Sequence, residues 1–591
     1  MRTRWRFGIL IAAILALLSL YPQFSLIYHR GSEYNGAAFV NDNDESVYIA
    51  YSQSLADGRP RKNNIYSGGA DERPETFLSI QALPAYVAAI PASVLGVTTQ
   101  SFFPFLSVIG AFAAALSLFW FFRQITGNDV FSAVAALLVL VLGASAAGYG
   151  AVKHLAGLGH ASAALPFLRR YTPGLAFPFL FLFMGFVWRA YSDRTRKVKG
   201  NWFFAGASFA VLLYSYFYLW TAVVAWVALV LIFTLFARVE NRRAIWRFWL
   251  RLALVCSAAI IPYFWLLTQR ISSTDSSQLL EATRSPVFGR PPIWIGMLVV
   301  ASLLVLMRSG RVKIESREAI MIAACVLFPL VVFNQHVLTG NSLQPFHYNL
   351  YTAPYLALIG AALLAWVYLR AVPFRPRPWM VPALLGLTVC WGVVESHFTA
   401  RHRIAANLRR DAILPVAGKL REIGLNDVQL ASTQITFNSD LFQADHQPST
   451  APHGVLWSEH LPWGASITEA DARRRYLLHL YYSNKDEAWL RRSLQNCPGS
   501  PECKAIFGAR VIPTLAIGSH NPSATDIESV IAEFGQLLRE IAESGPLDPL
   551  PNFAVVRTDG FDAATIDRWF EREPVAEVGE YVIYRLERKS Q

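Results

Sequence analysis

The chain has 591 residues, 54% hydrophobic and only 16% charged, a balance that excludes an ordinary soluble globular protein and points to a membrane. Its net charge of +12 is unevenly spread: residues 397–591 hold 21 Lys and Arg against 25 Asp and Glu, a net −4, which leaves +16 for residues 1–396. The basic excess therefore lies between apolar runs, as cytoplasmic loops require, and calls for no nucleic acid.

In chain order, Arg2, Arg4 and Arg6 precede "FGILIAAILALLSLY" with no small-x-small cleavage site after it. The start reads as an uncleaved first span with its N-terminus in the cytoplasm. A span takes roughly 20 apolar residues. The stretches 7–28, 101–122, 130–150, 172–188, 202–214, 219–237, 249–268, 292–307, 318–333, 350–370 and 379–396 give eleven. The run 202–237 is too long for one span and divides at "YSYFYLW" (214–220), because basic stretches flank it on both sides, "RAYSDRTRKVKG" and "ARVENRRAIWR". With the N-terminus inside, four of the five cytoplasmic loops are basic, and the odd span count places the tail outside. The segment 76–98, broken by Pro84 and Pro91, reads as a juxtamembrane or re-entrant helix at the outer interface.

Two regions are expected: a membrane module over 1–396, with a first external loop over 30–100, and a soluble extracytoplasmic domain over 397–591. The tail alternates β-rich runs ("VQLAST", "RVIPTLAIG", "FAVVRT", "YVIYRLE") with helical ones ("EADARRRYLLHLYYS", "TDIESVIAEFGQLLREIAES"), the pattern of a mixed α/β domain. In the last of these Thr525 or Asp526 is the expected cap, and Ile527, Val530, Ile531 and Phe534 form the buried stripe. Cys497 and Cys503, across the turn of "NCPGSPEC", suit a short-loop disulfide. No Walker loop, dinucleotide fingerprint, H-E-x-x-H or G-x-S-x-G signature stands in its required context.

The stretch "NDNDESVYIAYSQSLADG" (41–58) puts Asp42, Asp44 and Glu45 just past the first span. Helical spacing aligns Asp44 with Tyr48, Tyr51 and Leu55 on one face. Two readings stay open: carboxylates favour a helix N-terminus, and carboxylates at a membrane boundary bind cations or take protons. "DESVYIAYSQSLADG" resembles the D-E-x-x-Y-x-x-x-(A/S)-x-x-L-x-x-G signature that follows the first transmembrane helix of GT-C glycosyltransferases, among them the lipid A aminoarabinose transferases and protein O-mannosyltransferases. The resemblance implies a GT-C-like helical bundle in an inner (plasma) membrane, acting from the external face. It implies a polyprenyl-phosphate-linked sugar as donor and a hydroxyl of a glycan, lipid or protein as acceptor, with inversion at the sugar. By position Asp44 is the implied general base, Glu45 its catalytic neighbour, and Asp42 and Tyr48 substrate contacts. Arg73 and Pro74 of "DERPETFLSI" stand where such enzymes carry a basic residue and prolines, and depart from a Lys-Pro-Pro form.

A phosphate leaving group calls for cations on the outer side, against the positive-inside trend. Lys153, His154, His160, Arg169, Arg170, Arg270, Arg284 and Arg290 fall there, and Arg169–Arg170 is the favoured phosphate pair over the alternative of headgroup anchors. The loop "NQHVLTGNSLQPFHYNLY" (334–351) offers Gln344, His347 and Tyr348 for sugar hydroxyls, while "YSYFYLW" reads as an interface belt. Asp42 and Asp44 can hold Mg²⁺ or Mn²⁺ through oxygen ligands, although no metal is required. The competing functions are a flippase or transporter for lipid-linked sugars and a non-catalytic envelope-assembly protein.

Overall fold

A computed structural model describes residues 4–69, 74–158, 173–192, 200–239, 241–270, 281–309, 314–371, 377–464, 467–497, 500–511 and 521–590. Long runs of Leu, Ala, Val and Phe leave the backbone no partner in lipid except itself, so they fold as helices. In order these are α1 (Trp5–Arg30), α2 (Asp44–Ala56), α3 (Phe77–Ile80), α4 (Leu83–Leu95), α5 (Thr99–Thr126), α6 (Asp129–Ala146), α7 (Ala151–Leu155), α8 (Phe177–Ser192), α9 (Asn201–Leu213), α10 (Phe217–Phe236), α11 (Arg242–Thr268), α12 (Pro291–Ser309), α13 (Ser316–Thr339), α14 (Pro345–Tyr351), α15 (Ala353–Ala371) and α16 (Met380–Gly424). Nine helices among the described residues are long and apolar enough to cross a membrane. α8 and α9 occupy the two other expected positions but have only 16 and 13 residues. The protein is an integral membrane helical bundle. Leu250, Leu254, Ile261 and Trp265 of α11 are exposed, as a lipid-facing side requires. Inside the bundle, helices approach over small residues: a Cβ on Gly296 of α12 would lie 2.1 Å from the Val326 carbonyl oxygen of α13.

α16 is the pivot of the architecture. It runs for 45 residues, through the boundary expected at 396, from the bundle into the C-terminal region. Its span end carries the buried Glu395, which accepts from the Ala151 amide (2.9 Å) and the Ser145 hydroxyl (3.0 Å). Two turns of the same helix then organise the chain leaving α1. Asp411 takes the Arg30 guanidinium (2.8 Å) and the amides of Asn35 and Ala37, and Asn407 bonds both backbone groups of Val40. Residues 35–40 are extended chain, and these side chains supply the partners that a sheet would otherwise give.

The C-terminal region adds α17 (Val428–Thr433), α18 (Leu441–His446), α19 (Leu461–Gly464), α20 (Glu469–Tyr482), α21 (Glu487–Leu494), α22 (Pro501–Phe507), α23 (Ala524–Ser544) and α24 (Ala564–Trp569). A short antiparallel pair, β1 (Glu281–Ala282) and β2 (Asn341–Ser342), lies between membrane helices. The main sheet comprises β3 (Ile435–Asn438), β4 (Gly454–Val455), β5 (Phe553–Arg557), β6 (Phe570–Val578) and β7 (Tyr581–Arg588), in the order β4-β3-β5-β7-β6. β3 is parallel to both its neighbours, and β7 is antiparallel to β5 and β6, so the sheet is mixed as expected.

Two local expectations change. "VQLAST" is helical, because the Asp427 carboxylate caps the Leu430 amide at 2.9 Å, and the strand is the ITFN that follows it. The cap of α23 is Ser523, in a reciprocal capping box with Asp526, rather than Thr525 or Asp526. Its stripe of Val530, Ile531 and Phe534 is buried, with Ile527 at the margin. "RVIPTLAIG" lies largely outside the described residues. Cys497 and Cys503 form a disulfide with a Cα–Cα distance of 5.5 Å.

The segment after α1 and the C-terminal region share one apolar core. Val47, Ala50, Tyr51 and Tyr66 belong with Phe437, Leu456, Trp457 and Tyr476. The Val455 amide of edge strand β4 donates to the Tyr66 carbonyl (2.8 Å), and Arg475 donates to the Ser67 carbonyl (2.9 Å). Contact is so close that a Cβ on Gly454 would fall 2.4 Å from the Gly68 nitrogen, which explains a glycine there.

Candidate active site at the junction of bundle and C-terminal sheet

α2 begins at Asp44, with Asn43 as N-cap, and Asp44 and Glu45 both lie in its positive first turn. The helix is clamped at its far end. Gln53 accepts from the Thr99 amide at 2.9 Å, and Asp57 makes a two-pronged pair with Arg421 of α16 at 2.6 and 2.9 Å. The two adjacent carboxylates part company at the near end. Glu45 is fully buried and its Oε2 accepts from the Asn41 amide at 3.2 Å, closing the turn before the helix. Asp44 keeps a side chain 37% exposed, with Oδ1 3.6 Å from Nε2 of His460. Asp42 is half-buried beside them.

His460 reaches Asp44 from the C-terminal region. Its Nδ1 lies 2.7 Å from Oδ2 of Asp445, whose Oδ1 accepts the His460 amide at 3.0 Å. Both ring nitrogens thus face carboxylates: Nδ1 is hydrogen-bonded to Asp445, and Nε2 stands at ion-pair distance from Asp44. Burial by itself would push His460 down, but the Asp445 charge and the bond toward Asp44 outweigh it and hold the ring well above the ordinary histidine value. Burial would likewise raise Asp445, and the His460 charge instead holds it below the usual carboxylate range. The shifts agree in describing a charged pair. Tyr66, buried beside Asp445 and Asp44, donates to the Asp445 carbonyl at 3.2 Å. Nothing in the sequence reading assigned a role to Asp445 or His460. The available signal was compositional: "QADHQ" and "VLWSEHLPW" set a carboxylate and an imidazole in segments that are otherwise buried.

The residues after α13 assemble a second polar cluster with the start of α10. His347 stacks on Tyr218 with ring centroids 4.1 Å apart and planes at 10°, and its Nδ1 lies 2.7 Å from the Tyr216 hydroxyl. Tyr218 donates to Gln344 Oε1 at 2.9 Å, and the Tyr348 hydroxyl is 2.8 Å from that of Thr221. Tyr216 and Tyr218 of "YSYFYLW" therefore line a polar site instead of serving only as an interface belt, because α9 ends at Leu213 and the turn points inward at α14. Tyr48 of α2 lies within electrostatic range of Tyr218.

Basic residues border the same end. Arg61 bonds both oxygens of the buried Glu75 (2.5 and 2.7 Å) and the Ser79 carbonyl, while Tyr51 donates to the Arg61 carbonyl. Arg270 lies over the Phe77 ring at 4.0 Å, and Phe77 touches Phe217 next to Tyr218. Arg284 is directed elsewhere, capping the carbonyls of Val337 and Leu338. Lys153 lies over the Tyr149 ring and His154 against Phe398. Arg73, His160, Arg169 and Arg170 lie outside the described residues.

No group of three or more His, Cys, Asp or Glu side chains placed to hold a metal ion occurs among the described residues.

The chain matches no protein-family model and no curated protein. Among solved structures it is similar to ArnT from Cupriavidus metallidurans bound to undecaprenyl phosphate, at 12% identity and a TM-score of 0.45 over 98% of each chain. It is also similar to ArnT from Cupriavidus metallidurans in the apo state, at 13% identity and a TM-score of 0.42, over 96% of this chain and 97% of that one.

Proposed function

We propose that this protein is a GT-C-type glycosyltransferase of the inner membrane that moves a sugar from a polyprenyl-phosphate donor to an acceptor hydroxyl at the external face. The observation that carries the reading is Asp44: the signature carboxylate opens α2 partly exposed and paired with His460, a residue of the C-terminal region that Asp445 holds in place. Charge distribution supports the orientation, with the N-terminus cytoplasmic and the C-terminal region outside.

In this reading the acceptor O–H gives its proton to Asp44 as its oxygen bonds to the anomeric carbon. The carbon–oxygen bond to the phosphate breaks, its electron pair leaves with polyprenyl phosphate, and the sugar inverts. Gln344, His347 and Tyr348 bind sugar hydroxyls, and outer cations, Arg270 together with Arg169 and Arg170, neutralise the departing phosphate. No step needs a metal.

The test uses the full chain in lipid nanodiscs, given undecaprenyl-phosphate carrying radiolabelled glucose, mannose, arabinose or 4-amino-arabinose, with envelope lipids and glycans as acceptors. The expected result is label transfer and release of undecaprenyl phosphate. Asp44→Asn should lower the rate by about 10²–10⁴-fold, the range for a lost general base, with an unchanged melting midpoint. Full transfer by Asp44→Asn removes Asp44 from the chemistry, and donor translocation without transfer identifies a flippase.

A further inference from the structure

We propose that the Asp445–His460 pair of the C-terminal region positions the Asp44 carboxylate, so that the transferase site is complete only when this region is seated on α2. The inference rests on the transfer reading above, and it gives the C-terminal region a part in the reaction.

The geometry has three steps. Asp445 is buried at the end of α18 and fixes His460 at two points, the ring Nδ1 (2.7 Å) and the amide (3.0 Å). An imidazole so held cannot rotate, and its Nε2 is directed at one place, Oδ1 of Asp44. A side chain on a first helical turn has several rotamers open to it, the imidazolium favours those that keep Oδ1 beside Nε2, and misplacement of a reacting group by about 1 Å can cost about 100-fold in rate. The balance of charge is also informative. A lone cation beside Asp44 would weaken it as a base, whereas Asp445 behind His460 offsets that charge and leaves the trio net negative.

The seat itself is built on both sides. Tyr66 and Ser67 of the first external loop bond Asp445, β4 and Arg475 by backbone and side chain, and Gly454 lets the chains touch. His460 is thus a positioning residue delivered by the docking of one region on the other.

The experiment compares full-length wild type, His460→Gln and Asp445→Asn in nanodiscs with the undecaprenyl-phosphate sugar that wild type turns over. His460→Gln should lower kcat by about 100-fold, with the donor KM within two-fold and the folded fraction unchanged. Asp445→Asn, which keeps the volume but loosens the imidazole, should lower kcat in the same direction. Asp44→Glu should slow wild type yet add nothing in the His460→Gln background, because orientation is already lost there. Wild-type kcat in both His460→Gln and Asp445→Asn overturns the inference and leaves the transfer reading standing, as does a rate loss that only tracks the folded fraction. No turnover by wild type with any of the four donors overturns both.

Discussion

The two halves of the candidate site are built from opposite materials. The Asp44 half is ionic: two carboxylates and an imidazolium, drawn from α2, α18 and the segment before α19. The Gln344–His347 half holds no carboxylate and is made of phenols, an amide and an imidazole contributed by α10, α14 and the residues just before them. Burial explains what the ionic half needs. Buried charges are costly unless paired and shielded, and the C-terminal region supplies His460 as counter-ion to Asp44 together with cover. Phenols and amides carry a smaller penalty on burial and need only hydrogen-bond partners.

The comparison can be broken most forcefully at Asp445. Asp445→Ala leaves the His460 charge buried without its main partner and should cost about 3–5 kcal/mol of stability, the range for a split buried pair. Chemical denaturation of the full chain in detergent reads it, and a loss under 1 kcal/mol would mean that the pair is not the anchor of the ionic half.

Acid gives the next largest effect. Burial pushes His446 down to about 3 and His453 and His479 to about 4, against an ordinary value of 6.5. A group depressed on folding contributes stability that is present above its unfolded value and lost as pH falls through the folded one. His460 is shifted the other way, so its contribution persists through this acid range and is lost only as pH rises through its raised value. Asp445, held low, gives way only below about 3.8. The melting midpoint should fall from pH 6.5 toward pH 4, and His479→Gln, which can keep the bond to the Asn438 carbonyl, should flatten part of the fall. A flat profile in wild type contradicts neutral burial of the three rings.

The smallest effect belongs to the Gln344–His347 half. Tyr218→Phe removes one hydrogen bond to Gln344 and keeps the stack on His347. At about 0.5–1.5 kcal/mol for such a bond, the donor KM should rise about 2- to 10-fold with kcat nearly unchanged. A loss as large as that of Asp44→Asn would show that the Gln344–His347 half takes part in bond-making.

The sequence by itself determined the membrane class, nine of the expected spans, the mixed sheet and the Cys497–Cys503 spacing. Each depends on local patterning: apolar run length, alternation, turn chemistry and the charge of flanking loops. Patterning could also place Asp44, Tyr48 and Tyr51 on one helix face, but it could not separate Asp44 from Glu45. That distinction was made by packing, which buries Glu45 against the Asn41 amide and turns Asp44 toward His460. The tertiary structure alone decided that a 45-residue helix carries the tail back over the segment between α1 and α5, and that "YSYFYLW" faces a polar cluster. Contacts between segments hundreds of residues apart leave no local trace, since an Asp or a His in a buried run reads the same whether it pairs with a neighbour or with another region of the chain.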